Sequence, residues 1–278
     1  TGGQWRHARR DRGGRPRRVG CPKLLGIALT RIATLGLSGR AEAYDKYQTY
    51  TRDLPDPSSL SPKELAQATK IYDRNGTLLY VKHTEGVVRT VIPLAAISTH
   101  LVQATIALED RQFYTHHGID VQRTVGAAIA DVTHQKAIQG GSTITQQLVK
   151  RMFVGTDTSI ERKVREAVLA LEIERRYSKN DILTLYLNQI FYGHEAYGIE
   201  AASQTYFAKP AKNLDIAESA MLAAIPNSPS QFDPLNPLTA QNARDRQALV
   251  LRDLLRDHYI TDREYAVALK EPIVYKNG

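Results

Sequence analysis

The stretch ALEDRQFYTHHG, residues 107–118, and the stretch GGSTITQQLVK, residues 140–150, lie within the longest regular pattern of this chain. From Pro93 almost to the end, apolar residues recur at three- and four-residue spacing, with Gly or Pro between the periodic segments. That spacing keeps apolar side chains on one face of an α-helix. The sequence therefore predicts a mainly α-helical domain.

Residues 70–93, ahead of this domain, have the pattern of short β-strands. The turn sequence Asp73-Arg74-Asn75-Gly76 separates Ile71-Tyr72 from the apolar run at 78–81. An Asn-Gly pair between two such runs is a strong hairpin signal, because both residues tolerate a positive φ. Val and Ile residues between 87 and 92 extend the strand signal. We therefore expect a small β-hairpin before the helices.

Composition limits the classes of protein and partner. A chain of 278 residues with 42% hydrophobic content can bury one good-sized core. The formal charge of +8 indicates an anionic partner, such as nucleic acid, a membrane surface or a phosphorylated substrate. Much of this charge belongs to the arginine-rich residues 1–18. The lone Cys21 excludes an intramolecular disulfide and any multi-cysteine metal site.

Residues 21–39 form a weakly apolar stretch that Lys23 and Arg31 interrupt. An arginine near the middle of a spanning helix costs about 2.5–3.5 kcal/mol on insertion scales, so this is a poor transmembrane segment. A basic run before an apolar stretch is the order expected where a cytoplasmic tail enters a membrane. A basic leader without a membrane role is the alternative, and the residues favour neither.

The first chemical cluster is the acidic pair Glu109 and Asp110. A helix predicted from about Leu94 to Tyr114 carries both residues near its C-terminal end, where a carboxylate suits general-base work. A solvated helix face is the alternative for such a pair. His116 and His117 lack acidic or His partners at ligand spacing, so we expect polar packing or a helix-end position rather than metal binding.

The second cluster opens a helix. Two glycines at 140–141 let the backbone approach a ligand, and Thr143 with Gln146 has capping-box spacing. We expect this helix start to present free N–H groups to an anion, with Gln146 and Lys150 on one face behind it. Ser142 lacks the Gly-x-Ser-x-Gly setting of a hydrolase nucleophile, and the Gly-Lys-Ser/Thr of a nucleotide P-loop is missing. An ordinary capped helix accounts for the cap but not for the two glycines.

The third cluster lies in a helix predicted from about Ser159 to Tyr177. Arg162 and Lys163 gather two cations around Glu166 on one flank. A surface ion pair of about 0.3–0.5 kcal/mol is the alternative, although three clusters so close together favour a functional site. The predicted apolar stripe consists of Ile160, Val164, Val168 and Leu171.

Four runs between about Pro93 and Pro237 carry a family resemblance: ALEDRQFYTHHGID, GGSTITQQLVKRMF, RKVREAVLALEIERRYSKNDILTLYLNQIFYG and AYGIEAASQTYFAKPAKNLDIAESAMLAAIPNSPSQFDP. In this order they resemble the peptidoglycan glycosyltransferase domain (glycosyltransferase family 51) of class A penicillin-binding proteins and monofunctional transglycosylases. The resemblance implies a mainly α, lysozyme-like fold with a small membrane-facing jaw and a short N-terminal β-hairpin. Phe207-Ala208-Lys209 departs from the more usual Phe-Gly-Lys.

The resemblance also implies a reaction. Lipid II is polymerised into glycan strands at the extracytoplasmic face of the plasma membrane, with inversion at the anomeric carbon and release of undecaprenyl pyrophosphate. Glu109 matches the general base that takes the proton of the acceptor's sugar 4-hydroxyl, and Asp110 supports it. Glu166 matches a second carboxylate that orients or stabilises the donor site. The positions expected to hold donor sugar and pyrophosphate are Ser142, Thr143, Gln146, Lys150, Arg162 and Lys163.

The family implies no required cofactor, and it leaves open a divalent cation such as Mg²⁺ at the pyrophosphate. The expected partners are lipid II, the growing glycan strand, the plasma membrane and other cell-wall synthesis proteins, but not nucleic acid. A lysozyme-type wall hydrolase and a non-catalytic module that binds lipid-linked glycan are the alternatives. The Ser-x-x-Lys, Ser-x-Asn and Lys-Thr-Gly set of a transpeptidase is absent.

These expectations divide the chain into segments. The glycosyltransferase domain is expected at 70–245, followed at 246–278 by C-terminal helices that lead to a further downstream region. The segments ahead of the domain are a basic tail at 1–20, a weak or degenerate membrane anchor at 21–40 and a connector at 41–69.

Overall fold

The computed structural model describes residues 44–45, 48–49, 69–75, 78–82, 88–120, 141–154 and 159–276. The chain separates into two units, Thr1–Thr49 and Tyr50–Gly278. In the first unit the described residues are helical and exposed. The predicted basic tail and membrane anchor, and Gly140, lie outside the described residues. Among the residues described, no helix is both long enough and apolar enough to cross a membrane.

The predicted hairpin is confirmed. Strand β1 (Thr69–Tyr72) pairs antiparallel with β2 (Leu78–Lys82). In the connecting turn, the backbone N–H of Asn75 donates to Oδ1 of Asp73 at 2.8 Å. The Asp side chain thus replaces a backbone acceptor in the turn.

The strand signal between 87 and 92 is realised only in part. Strand β3 (Val88–Arg89) pairs in parallel with β4 (Ala196–Tyr197). Ile92 lies outside the strand because its N–H donates to Oδ1 of the buried Asn188 at 2.9 Å rather than to a neighbouring strand. At Ile92 a side chain that is distant in sequence therefore takes the place of a neighbouring strand.

The second unit is mainly helical, as predicted. Within the described part of this unit, short 3₁₀ helices occupy Leu94–Ala96 and Ala211–Asn213, and a π-helical turn occupies Lys150–Val154. The α-helices are α1 (Thr99–Glu109), α2 (Ile144–Val149), α3 (Ile160–Arg176), α4 (Lys179–Gln189), α5 (Ile199–Phe207), α6 (Ile216–Ala224), α7 (Ala240–Arg256) and α8 (Asp262–Lys270).

The predicted helix from Leu94 to Tyr114 is too long at both ends. Ile97 and Ser98 have extended backbones, so α1 starts only at Thr99. Asp110 leaves the helical region at φ −159° and ψ 75°. Glu109 is therefore the last residue of α1. Its side chain reaches Gln147 of α2, which in turn contacts Tyr186 of α4.

Helix α1 is fixed by packing on two sides. Ala104 and Ala107 meet an alanine-rich face of α6 and the side chains of α7, all buried. Leu101 and Ile106 belong to the main core, which also contains the apolar residues of α4. Small side chains let neighbouring helix axes approach closely. The predicted domain boundary at residue 245 falls inside α7, which shares this packing.

The limits of α3 agree with the prediction, but the predicted apolar stripe is wrong at Leu171, which is 48% exposed. Val164 and Val168 are partly buried, and the side chain of Ile160 lies outside those described. The inward face carries Leu169, Ala170 and Ile173, with Glu166 one turn earlier on the same face. A carboxylate occupies a core-facing position because two cations match its charge, as the site geometry shows.

Candidate active site

Glu109 is held by an amide side chain. Its Oε2 accepts a hydrogen bond from Nε2 of Gln147 at 2.7 Å, and Oε1 of Gln147 accepts one from the hydroxyl of Tyr186 at 3.2 Å. Burial, followed by the charge of Glu109, raises the pKa of Tyr186 well above its ordinary value. The phenol therefore stays protonated and acts as a donor.

Asp110 has a different environment from its neighbour. Its fully buried carboxylate accepts from the backbone N–H of Ile144 at 2.9 Å and contacts Nε2 of His116 at 2.9 and 3.0 Å. This bond ties the end of α1 to the start of α2. The predicted polar packing is confirmed for His116, while His117 is exposed. The Asp110 carboxylate thus fixes the chain directly after Glu109 to the start of α2.

The capping box of α2 is confirmed. Oγ1 of Thr143 accepts from the N–H of Gln146 at 3.1 Å, and Oε1 of Gln146 accepts from the N–H of Thr143 at 3.0 Å. The expectation of free N–H groups at this helix start is wrong, because Asp110 already occupies the N–H of Ile144. The protein supplies its own anion at that N–H group.

Glu166 is the centre of an acid–cation cluster with Arg162 and Lys163. Its carboxylate is 1% exposed and accepts from Nη1 of Arg162 at 2.8 Å and from Nζ of Lys163 at 2.5 Å. Nζ of Lys163 also donates to Oγ of Ser142 at 2.8 Å. The structure thus brings four of the predicted site residues together.

Lys150 begins the π-helical turn after α2 and is exposed. Turns of this type often occur at functional sites. The next residue, Arg151, is also exposed and stands four positions after Gln147, on the same flank. Burial raises the pKa of Tyr192, and the charge of Arg151 partly opposes this shift, so Arg151 adds positive potential on the Glu109 side.

A second set of contacts fixes α2 against α3. Oγ1 of Thr145 donates to Oε1 of Glu174 at 2.6 Å, and Nζ of Lys179 donates to the same carboxylate at 2.7 Å. Nζ of Lys179 also lies 4.6 Å from the ring centroid of Phe113. These contacts link the start of α2 to the loop after α1.

The short segment 142–147 is the hub of the site. Ser142 contacts the acid–cation cluster, Ile144 contacts the carboxylate that follows α1, and Gln147 contacts the last residue of α1. Three positions of this segment, 142, 144 and 147, therefore contact different clusters. Gly118, which follows α1, lies close to the backbone of α3. Its φ is +90°, and an added Cβ would lie 2.8 Å from the carbonyl oxygen of Ala170, so glycine is required there.

The sequence analysis did not select Gln147 or Tyr186 as site residues. It selected Gln146, which is buried and whose Oε1 is engaged in the cap; its role in substrate binding stays a prediction. The spacing of Gln147 relative to Glu109 carries no signal, because 38 positions separate them. A tyrosine in an apolar helical run offers a weaker clue, since a buried phenol needs a hydrogen-bond partner.

The described ranges contain no group of His, Cys, Asp or Glu residues arranged to hold a metal ion. The acidic residues of the site are instead engaged with amide, backbone and cationic donors. The cluster of Arg162, Lys163 and Glu166 combines two cations with one carboxylate and therefore keeps a net positive charge.

Comparison with known families decides what this site belongs to. The family model described as Transglycosylase matches residues 75–255, a range that includes every candidate residue of the site. The chain belongs to the transglycosylase family. This membership confirms the predicted resemblance to the glycosyltransferases of cell-wall synthesis.

Curated relatives share this part of the chain. Penicillin-binding protein 1A of Aquifex aeolicus is 41% identical over 226 residues, which cover 81% of this chain and 30% of the relative. Penicillin-binding protein 2D of Bacillus subtilis is 41% identical over 213 residues, which cover 77% of this chain and 30% of the relative. This transglycosylase chain therefore spans less than a third of the length of these relatives.

A relative from Haemophilus influenzae is known both as a sequence and as a crystal structure. Its penicillin-binding protein 1A is 43% identical over 211 residues, which cover 76% of this chain and 24% of the relative. The 2.6 Å crystal structure aligns with a TM-score of 0.45 and 28% identity, covering 77% of this chain and 22% of that chain.

Proposed function

We propose that the domain is a peptidoglycan glycosyltransferase that polymerises lipid II into glycan strands. The anomeric carbon inverts, and undecaprenyl pyrophosphate is released. The observation that carries this proposal is the meeting of two unlike carboxylates at segment 142–147, one joined to a neutral amide and one matched by cations. Transfer from a pyrophosphate needs both kinds of group.

Activation of the acceptor is assigned to Glu109. Its carboxylate takes the proton from the sugar 4-hydroxyl of lipid II as that oxygen forms a bond to the anomeric carbon of the growing strand. The bond between this carbon and the pyrophosphate oxygen breaks, and its electron pair leaves with the pyrophosphate. The amide of Gln147 orients the carboxylate from one side. Asp110 supports the base by holding the backbone beside it.

Stabilisation of the leaving group is assigned to the cations. Lys150, Arg162 and Lys163 are proposed to neutralise the charge that develops on the pyrophosphate, while Glu166 holds two of them in place. Ser142, with Thr143 and Gln146 behind it, borders the donor site. A covalent nucleophile is unnecessary because the leaving group is already activated.

A divalent cation such as Mg²⁺ would bind mainly to pyrophosphate oxygens, which are the hard ligands it prefers. No step above passes through it. The substrate is anchored in a bilayer, so the proposed location is the extracytoplasmic face of the plasma membrane, with a small jaw of the domain against the lipid and other wall-synthesis proteins as partners.

A lysozyme-type hydrolase is the second candidate, because inverting hydrolases also use two carboxylates. The acid–cation cluster favours the transferase, since a hydrolase has no phosphate to neutralise. A binding module that does not catalyse would have no use for a positioned base.

The test is polymerisation of lipid II in detergent or liposomes, with glycan products resolved by size. Wild type and the control Glu161→Gln, which alters a carboxylate on the exposed flank of α3, are expected to produce polymer. Glu109→Gln is expected to produce none. No polymer from wild type would contradict the transferase, and shortened pre-formed strands would favour the hydrolase.

A further inference from the structure

Gln147 is hydrogen-bonded at both ends of its amide. Nε2 donates to Glu109 at 2.7 Å, and Oε1 accepts from the Tyr186 hydroxyl at 3.2 Å. The amide is only partly buried, whereas the tyrosine is 1% exposed. A side chain near solvent is thus fixed by one in the core.

One orientation of the amide satisfies both of its neighbours. The carboxylate of Glu109 offers acceptors and pairs with the nitrogen end, while the hydroxyl of Tyr186 donates to the oxygen end. A flipped Gln147 would direct its oxygen at the carboxylate and lose that hydrogen bond. The phenol oxygen could then accept from the amide nitrogen, but the phenol hydrogen would lose its acceptor.

The tyrosine is itself packed in the core. Tyr186 lies in α4 between the fully buried Leu185 and Leu187. Helix α4 starts with a capping box in which Oγ of Ser178 accepts from the N–H of Asp181 at 3.2 Å. The position of the phenol is therefore set by the core and not by the substrate.

We infer that Tyr186 and Gln147 form a positioning relay that aligns the carboxylate of Glu109 with the attacking hydroxyl. The inference rests on the proposed function, because it concerns the geometry of that base. Both are positioning residues that act through Glu109. A misplacement of about 1 Å in a reacting group costs as much as ~100-fold in rate, so losing the relay lowers kcat much more than it raises KM.

The first experiment compares Tyr186→Phe with Tyr206→Phe. Both substitutions remove one hydroxyl from a fully buried tyrosine, but the hydroxyl of Tyr206 donates to the backbone oxygen of Tyr192 at 2.7 Å. We expect Tyr186→Phe to lower kcat for lipid II polymerisation ~10-fold with KM within ~2-fold, and Tyr206→Phe to leave both within ~2-fold. Equal kcat in the two variants at similar melting temperatures would overturn the relay.

The second experiment is a double-mutant cycle with Gln147→Met, which keeps the length of the side chain and removes the amide. Gln147→Met is expected to lower kcat ~10-fold or more, and Tyr186→Phe is expected to add less than ~2-fold in that background. Multiplied effects would overturn the relay, because they would show that the two side chains act independently. Normal kcat in Gln147→Met alone would also overturn it, even if Tyr186→Phe fails to fold.

The outcomes separate the relay from the proposed function. Polymer from wild type and none from Glu109→Gln, together with unaltered kcat in the relay variants, would reject the relay alone. No polymer from wild type would reject both. Circular dichroism and thermal unfolding of each variant show whether a lost activity reflects a lost fold.

Discussion

Two carboxylates of this domain have opposite surroundings. Glu109 ends a helix, is partly exposed and accepts from a neutral amide, whereas Glu166 lies inside a helix, is 1% exposed and is matched by two cations. Under the proposed function the first receives a proton from the substrate, and its partial exposure leaves the carboxylate within reach. The second is already committed to its cations. The difference teaches that the neighbours of a carboxylate, and not its residue type, assign its role.

The largest loss of activity is expected at Glu109, the carboxylate that is proposed to accept a proton. Glu109→Gln keeps the size of the side chain but removes the acceptor, so turnover falls by ~10³-fold while binding of the lipid-linked donor stays within ~2-fold. Single-turnover polymerisation and equilibrium binding measure the two quantities. A loss of binding as large as the loss of turnover would break the comparison, because it would make Glu109 a binding residue.

The next effect tests the other acid. Glu166→Gln leaves Arg162 and Lys163 without their carboxylate, which misplaces the cations for the pyrophosphate. We expect kcat/KM to fall ~10²-fold, with weaker donor binding. The free energy of unfolding falls by about 3 kcal/mol, since a buried pair is broken. Chemical denaturation and steady-state kinetics measure these changes, and intact donor binding would contradict the assignment.

A smaller effect is expected at the exposed cation of the π-helical turn. Lys150→Ala removes one charge from the proposed pyrophosphate site, so kcat/KM falls ~10-fold and donor binding weakens with it. Lys270→Ala, on the exposed end of α8, is the matched control and should retain wild-type kinetics. Equal activity of both variants would remove Lys150 from the donor site.

The smallest effect sharpens the comparison within α3. Glu172 also meets two cations, Arg175 and Arg176, but on the surface, and these hydrogen bonds lower the pKa of Glu172 to about 2. Glu172→Gln should leave activity unchanged and shift the melting temperature by less than ~2 °C, because exposed pairs contribute little.

This small stabilisation has a defined pH dependence. A lowered carboxyl pKa stabilises the folded state above the pKa of the unfolded chain, near 4.3. The difference in melting temperature between wild type and Glu172→Gln is therefore present above about pH 4.3 and disappears as the pH falls through about 2. Thermal unfolding across this range checks it, and a difference that grows with acidification would contradict the ion pairs.

Local signals predicted the local structures. The hairpin follows from a turn sequence and the cap of α2 from the spacing of Thr143 and Gln146, and the ends of α3 agree with the range predicted from the sequence. Each depends on residues a few positions apart, whose backbone preferences and hydrogen bonds act without the rest of the fold.

Predictions that required distant partners failed or were missed. The apolar stripe of α3 was assigned from apolar residues alone, yet the inward face includes Glu166. The N–H of Ile144 was expected to be free, but it meets a carboxylate 34 positions earlier. Which of two adjacent glutamines contacts Glu109 depends on how α2 is rotated against α1 and α4.

The sequence by itself determined the family of this protein, its mainly helical class and the acidic and basic residues from which the site is built, because these depend on residue type and short spacing. Only the tertiary structure decided that Glu109 meets an amide that is also hydrogen-bonded to a core tyrosine, while Glu166 meets two cations in a buried position. The physical reason is that an electrostatic environment is the sum over groups brought close in space, and chain distance carries no record of that sum.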